Sequence, residues 1–278
     1  MSQTPLFPVT VFTERNQSKP DLLAIEEPLE IRLGYGPADA REQKCISVTM
    51  RTPGNDEELA LGFLFSEGII THINQIESIK HCIDNGKQEA NNIIRAELKT
   101  DVRLNGDKII RNFYTHSSCG VCGKSSIDAL DTMSQFNLKI EQKVVSGSVF
   151  FNLSELTKQQ QTVFKHTGAL HAAAFFSFQA ELLGVREDIG RHNALDKLIG
   201  NSFIKNELPA QNKILWLSGR LSFELIQKAY MAAIPIVVAV GAPSSLSVQL
   251  AQEKNITLIG FLNEKRFNVY THPERIAF

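Results

Sequence analysis

The sequence predicts an α/β protein in two parts, a small N-terminal α+β unit followed by a larger α/β unit on a mixed or parallel sheet. Three observations carry this. Beyond about residue 140, short apolar strands alternate with helical segments, and those strands contain almost no polar residue. Strands of that kind belong to a sheet covered on both faces. Before that point, strands with alternating apolar and polar residues surround one helix. The length, 278 residues, suits one large domain or two of ordinary size.

In chain order, residues 1–25 are polar and broken by prolines, and read as a mobile arm. Residues 29–33 and 45–51 read as strands, with β-branched and apolar residues alternating with polar ones. Asn55 looks like an N-cap with Glu58 three residues on, and Leu59, Leu61, Phe63, Leu64 and Phe65 give the helix its apolar face until Gly68 stops it. Residues 79–83, 92–98 and 108–113 read as further strands, completing a unit over 26–140. Ser125 is placed to cap a short helix ending near Met133. After a polar stretch at 139–151, a helix is expected over 154–164. The second unit, 141–278, then reads strand 170–176, helix 189–198, strand 213–218, helix 223–232, strand 234–240, helix 245–253 and strand 257–262.

Composition excludes several classes. Hydrophobic residues make up 43% and charged residues 21%, with a net charge of −1. No basic field draws such a chain to nucleic acid or an anionic membrane. No apolar run approaches the ~20 residues of a membrane span. The N-terminus lacks the basic and apolar segments of a signal peptide. Four cysteines in a chain this long do not make a secreted disulfide scaffold. The expected compartment is the cytoplasm.

The sharpest local signal is Cys119-Gly-Val-Cys122. Only a thiolate attacks, and a free thiol near pKa ~8.5 is mostly protonated at neutral pH. Lys124, His116 and a helix start near Ser125 would all favour the anion. Such a thiolate can accept a sulfane sulfur, and a second thiol two residues away can resolve the intermediate. The same pair also suits thiol–disulfide exchange, half a zinc site, or an inert loop. Zinc lacks its second half, because Cys45 and Cys82 are paired neither with each other nor with a nearby histidine.

Three polar turns join strands to helices in the second unit. Arg186-Glu-Asp-Ile-Gly-Arg191-His192 enters a helix whose start suits an anion, with Arg191 and His192 adding charge. The plain alternative is a solvated cap in which Asp188 bonds the first amides. Ser218-Gly-Arg220-Leu-Ser222 offers a guanidinium for phosphate or guanine and a capping hydroxyl. Gly241-Ala-Pro-Ser-Ser245 repeats the arrangement. All three are expected at the carboxyl edge of the sheet, where open α/β folds bind ligands. His171, among small residues, reads as a hydrogen-bonded core histidine, with a ligand contact as the alternative. Phe261, Leu262, Asn263, Glu264, Lys265 and Arg266 end the last strand with an aromatic ring and two cations, fit to stack on a base and grip phosphate, or to form an ordinary charged turn.

Together CGVCG (119–123), TGALHAAAFF (167–176), EDIGRHNALDKLIG (187–200), SGRLSFELIQK (218–228), ITLIGF (256–261) and VYTHPERI (269–276) resemble the formate dehydrogenase accessory sulfurtransferase family. ALGFLFSEGII (60–70) fits the same family, so the resemblance spans about residues 25–275. It implies a cytoplasmic homodimer with a cytidine-deaminase-like, three-layer C-terminal domain and no resident metal. It also implies a cysteine desulfurase as sulfur donor, and a persulfide delivered to the molybdenum bis-guanine-dinucleotide cofactor that formate dehydrogenase needs. Cys119 becomes the persulfide bearer and Cys122 its assistant. Phe261 to Arg266 fall on the family's cofactor-binding segment, where Phe261 and Arg266 match firmly. Ser118 stands where many relatives carry glycine. Deaminase chemistry is not implied: His171 is followed by three alanines, and no Pro-Cys-x-x-Cys occurs. A cofactor-binding chaperone for formate dehydrogenase is the alternative from another class.

Overall fold

The computed structural model describes residues 6–11, 17–82, 90–102, 134–136, 138 and 144–277. Cys119 and Cys122, the strand expected at 108–113, the helix opening at Ser125 and the boundary near residue 140 lie outside the described residues.

Where no strand was expected, β1 (Leu6–Val11) and β2 (Gln17–Leu22) pair antiparallel, with Pro8 opposite Pro20. Proline cannot donate to a ladder, but a two-stranded ribbon has outer edges where this costs nothing. The first larger sheet has the order β4-β3-β6-β5, from β3 (Glu27–Tyr35), β4 (Glu42–Arg51), β5 (Ile76–His81) and β6 (Ile93–Leu98). Only β3 and β6 run parallel.

Helix α1 (Asp56–Ser66) lies where its apolar spacing predicts. Its start differs in mechanism. Asn55 adopts a left-handed conformation (φ 57°) and its side chain caps nothing. Asp56, Glu57 and Glu58 instead supply negative charge to the first turn, and Asp56 is held by the buried Arg51, 3.0 Å away. At the other end Gly68 (φ 70°) donates to Phe65 and Ile69 to Leu64, closing the helix in a Schellman motif.

The second sheet has the order β13-β12-β11-β10-β8-β9. It comprises β8 (His171–Ser177), β9 (Leu182–Asp188), β10 (Lys213–Leu217), β11 (Ile236–Ala239), β12 (Thr257–Gly260) and β13 (Asn268–Thr271). Strands β10, β11 and β12 are parallel, and β8, β9 and β13 antiparallel to their neighbours. The mixed sheet agrees with expectation. The two outer strands went unread because edge strands carry polar residues, such as Arg186-Glu-Asp at the end of β9, that blur alternation. Short β7 (Val145–Ser146) and β14 (Ile276–Ala277) pair separately.

Alternation divides the core as the pleat requires. Ala173, Phe175, Leu215, Leu217 and Val237 face one cluster; Ala172, Ala174, Phe176, Ile214, Trp216 and Val238 face the other. The second face is covered by Phe150 and by α2 (Leu153–Gln160). That helix was expected to reach 164. It stops because the Glu187 carboxylate accepts the Val163 and Phe164 amides at 3.1 and 3.0 Å, leaving a separate turn, α3 (Phe164–Thr167). The first face is covered by α1, α4 (Arg191–Ile204), α5 (Phe223–Met231) and α6 (Ser245–Glu253). Its cluster continues into the smaller sheet through Leu33, Ile46, Ala96 and Leu98. The two halves therefore share one core, joined where α1 crosses α4.

Candidate functional site at the carboxyl edge

Because β10, β11 and β12 are parallel, their carboxyl ends share one edge. Antiparallel β8 brings its first residue, His171, to that edge, and its register partner Asp188 ends β9 there. The three turns foreseen from sequence do converge. The second and third are joined by backbone bonds, with Leu221 donating to Ala242 and Ser244 to Leu221, and Phe261 after the last parallel strand donates to Gly241, at 3.0–3.2 Å. The first meets the second through the side chain of His192, 3.2 Å from Ser222 Oγ. The edge is thus a rigid ledge, fixed before any ligand arrives.

A cavity of about 580 Å³ opens beside it, within the range typical of small-molecule sites. Leu170, Trp216 and Leu262 line it as buried apolar groups, and Lys158, Gln161 and Phe164 come from α2 and the turn after it. His171 and Ser218 add polar groups, and Asn263, Glu264 and Lys265 form another part of the wall. The Asn263 side-chain oxygen Oδ1 accepts the Lys265 and Arg266 amides at 2.9 and 3.1 Å, which shapes this loop. Phe261 is held at a positive φ of 55° and is 41% exposed. Among the lining residues Lys158 and Lys265 are cationic and Glu264 alone is acidic, so the cavity favours an anion.

Of the residues singled out from sequence, Leu262, Asn263, Glu264 and Lys265 line this cavity; Arg191, His192, Arg220, Ser222, Phe261 and Arg266 do not. A second group gathers at the start of α4. Arg191 Cδ lies 3.5 Å from where a Cβ on Gly219 would be, and the His171 ring lies 3.3 Å from the same point. Arg191 Nε is buried with no hydrogen-bond partner among the described residues. His192 Nε2 sits 3.2 Å from Ser222 Oγ. Ser222 begins α5 but its hydroxyl caps nothing, so the capping role expected of it is replaced by this contact. Glu224 approaches the same Nε2 at 3.9 Å. Serine and carboxylate therefore compete for one ring nitrogen, and no nucleophile–base–acid relay of the triad kind is set up.

His192 does not add the charge expected of it. Burial, then the nearby Lys228 and Arg191 cations, push it down to about 4, so it is neutral at pH 7. His171 is also held below its ordinary value, by burial and then Arg191. His171 is a wall residue of the cavity rather than a core residue. Ser218 Oγ accepts the Ala172 amide at 2.9 Å and lies 3.3 Å from His171 Nδ1. His171 was read as core and Trp216 was not singled out, because a ring flanked by small or apolar strand residues carries no spacing signature; only the partner strand shows where it lies.

The rest of the 187–200 motif is structural. Asp188, fully buried, bonds the Gly190 amide at 2.9 Å and pairs with Lys197 at 2.7 Å. Asp196 pairs with Lys228 at 2.8 Å and accepts from Ser66 at 3.1 Å; burial raises its carboxyl to about 6. Elsewhere, desolvation and the Glu30 carboxylate push the Cys45 thiol up to about 11, so it is a poor thiolate. Among the described residues no cluster of histidine, cysteine or acidic groups could hold a metal, and no helix is long and apolar enough to cross a membrane.

A mixed α/β fold with a cavity beside the carboxyl edge of its parallel strands has the architecture in which open α/β sheets place their ligand sites. The FdhD/NarQ family model matches residues 24–277. The chain is 45% identical over 262 residues to the sulfur carrier protein FdhD of Mycolicibacterium paratuberculosis, covering 94% of this chain and 93% of that one. It is 44% identical to the protein of that name from Streptomyces coelicolor (94% and 90% covered) and 42% identical to that from Saccharolobus solfataricus (92% and 91%). A crystal structure from Desulfotalea psychrophila, described provisionally as a formate dehydrogenase accessory protein, superposes with a TM-score of 0.74 at 23% identity, over 99% of this chain and 100% of that one. The chain belongs to the FdhD/NarQ family.

Proposed function

We propose that this protein is a cytoplasmic sulfur carrier. It takes a sulfane sulfur from a cysteine desulfurase onto Cys119 and delivers it to the molybdenum bis-guanine-dinucleotide cofactor destined for formate dehydrogenase. The observation that carries the reading is the near-full-length match to relatives named sulfur carrier proteins. The anion-favouring cavity supports the nucleotide part of it.

The Cys119 thiolate attacks the terminal sulfur of the donor's persulfide. A Cys119 S–S bond forms as the donor's S–S bond breaks, and the donor thiolate leaves. The Cys122 thiolate then attacks the inner sulfur, forming a Cys119–Cys122 disulfide and expelling hydrosulfide to the metal, and a thiol reductant resets the pair. Arg191, Arg220, Lys265 and Arg266 hold the phosphates of the cofactor's nucleotide arms, Phe261 stacks on a base, and the cavity beside Leu262, Asn263 and Glu264 receives the rest. His192 and Ser222 serve as a neutral hydrogen-bonding pair. The two-faced cover of the six-stranded sheet supports a cytidine-deaminase-like, three-layer unit over 141–278, following one over 26–140, and the working form is a homodimer.

The test is intact and peptide mass after incubation with a cysteine desulfurase and L-cysteine. An increment of about 32 Da, one sulfur atom, is expected on the peptide containing Cys119. No increment on either CxxC thiol sinks the proposal.

A further inference from the structure

We infer that Asn193 is a positioning residue. Its carboxamide fastens the turn bearing Arg191 and His192 to the end of β4, so that the N-terminal half holds the anion-binding ledge in place. The inference rests on the reading of that ledge as the nucleotide site.

The geometry is that of a clamp. Asn193 is 8% exposed and its carboxamide is fully engaged. Nδ2 donates to the Met50 carbonyl at 2.8 Å and to Asp188 Oδ1 at 3.1 Å; Oδ1 accepts from Thr49 Oγ1 at 3.2 Å. Just past the end of β4, Thr52 is held by all its polar groups: its amide donates to Asp188 Oδ2 at 3.2 Å, its hydroxyl accepts the Ile189 amide at 3.3 Å, and its carbonyl accepts Lys197 Nζ at 2.8 Å. The segment between the anchors Asp188 and Asn193 is only four residues long and contains Arg191 and His192. A buried amide that loses such partners bears an unsatisfied group, so this turn cannot shift while β4 stays put. No group in the clamp faces the cavity. It acts on ligand only through the residues it places, as supporting shells do in preorganised sites.

The experiment uses the full-length protein, with guanosine diphosphate as probe and calorimetry as readout. Asn193→Ala, which removes all three bonds, is expected to weaken binding about tenfold, while sulfur loading of Cys119 keeps its wild-type rate. Thr49→Val, which removes one bond and leaves both Nδ2 bonds, is expected to weaken binding by a smaller factor and guards against misfolding of the first variant. Ile256→Val, a buried change at the amino end of β12, on the edge of the sheet opposite the ledge, controls for stability. If it weakens binding as much as Asn193→Ala at matched loss of Tm, or if both clamp variants bind like wild type, the inference is overturned. Wild-type protein that fails to bind the probe instead overturns the reading of the ledge itself.

Discussion

Gly62 of α1 and Gly200 of α4 lie against each other's helix backbone. A Cβ on Gly62 would come within 2.7 Å of the Asp196 carbonyl carbon, and one on Gly200 within 2.7 Å of the Glu58 carbonyl carbon, with each carbonyl oxygen nearer still. Backbone, not a movable side chain, stands in the way. Gly62→Ala and Gly200→Ala are each expected to cost about 2–4 kcal/mol despite alanine's better helix propensity. Urea denaturation measures it; a neutral or stabilising result would show that the helices are free to separate.

Trp216 is the single tryptophan of the chain, and it lines the cavity while its indole donates to Ser154 Oγ at 3.2 Å. Titration with guanosine diphosphate is therefore expected to change tryptophan emission saturably. Emission that stays flat while calorimetry reports binding would move the nucleotide away from this cavity.

The depressed pKa of His192 makes a pH prediction. The unfolded chain takes up the proton near 6.5 and the folded protein near 4. Stability from this group is therefore full above 6.5 and is lost as the pH falls from there to about 4, by about 3 kcal/mol at most. Asp196, raised to about 6, works the other way: its contribution is present below its ordinary value and lost as the pH rises through 6. Comparing wild type with His192→Gln cancels Asp196, and the variant is expected to lose less stability over that window. Parallel stability curves for the two proteins would contradict the neutral histidine.

Asp188 and Lys197 form an ion pair almost wholly out of water, at 0% and 2% exposure. Lys197→Met leaves the carboxylate uncompensated and is expected to cost about 3–5 kcal/mol, seen as a lower denaturation midpoint. A loss below 1 kcal/mol would mean that the carboxylate finds another partner.

Cys119→Ala separates carrier from chaperone. A carrier loses all support of formate dehydrogenase activity while still binding guanosine diphosphate, whereas a chaperone keeps both. Activity assayed in cells that lack the native protein decides between them.

Much of the fold was legible because period and burial agree along the chain. Strand β10 and helix α6 fall within a residue of expectation, and the parallel core strands announce themselves by lacking polar residues. Edge strands β9 and β13 went unread because their exposure removes that signal. Within the 187–200 motif, sequence could not tell that Asp188, Asn193, Asp196 and Lys197 turn inward while Arg191 and His192 stay at the edge. Their partners come from beyond the local pattern: Asp188 and Lys197 pair with each other, Asp196 pairs with Lys228, and the N-terminal half, over a hundred residues away, adds Thr49, Met50, Thr52 and Ser66. Ser222 likewise occupies a capping position, yet its hydroxyl goes to a histidine thirty residues earlier.

The bonds between the halves also bear on synthesis. Thr52 meets Asp188 across 136 residues of chain, and Asn193 meets Met50 across 143. At about 5–20 residues per second, α1 is made roughly 7 to 28 seconds before the ribosome has completed the helix it packs against. Until then Leu59 and Ala60 have Leu29, Ile31 and Ile94 of the small sheet to pack on, but the side of α1 that meets α4 has no mate, and contacts of such sequence separation form late. The nascent N-terminal half is thus the stage at which this protein most needs a holding chaperone.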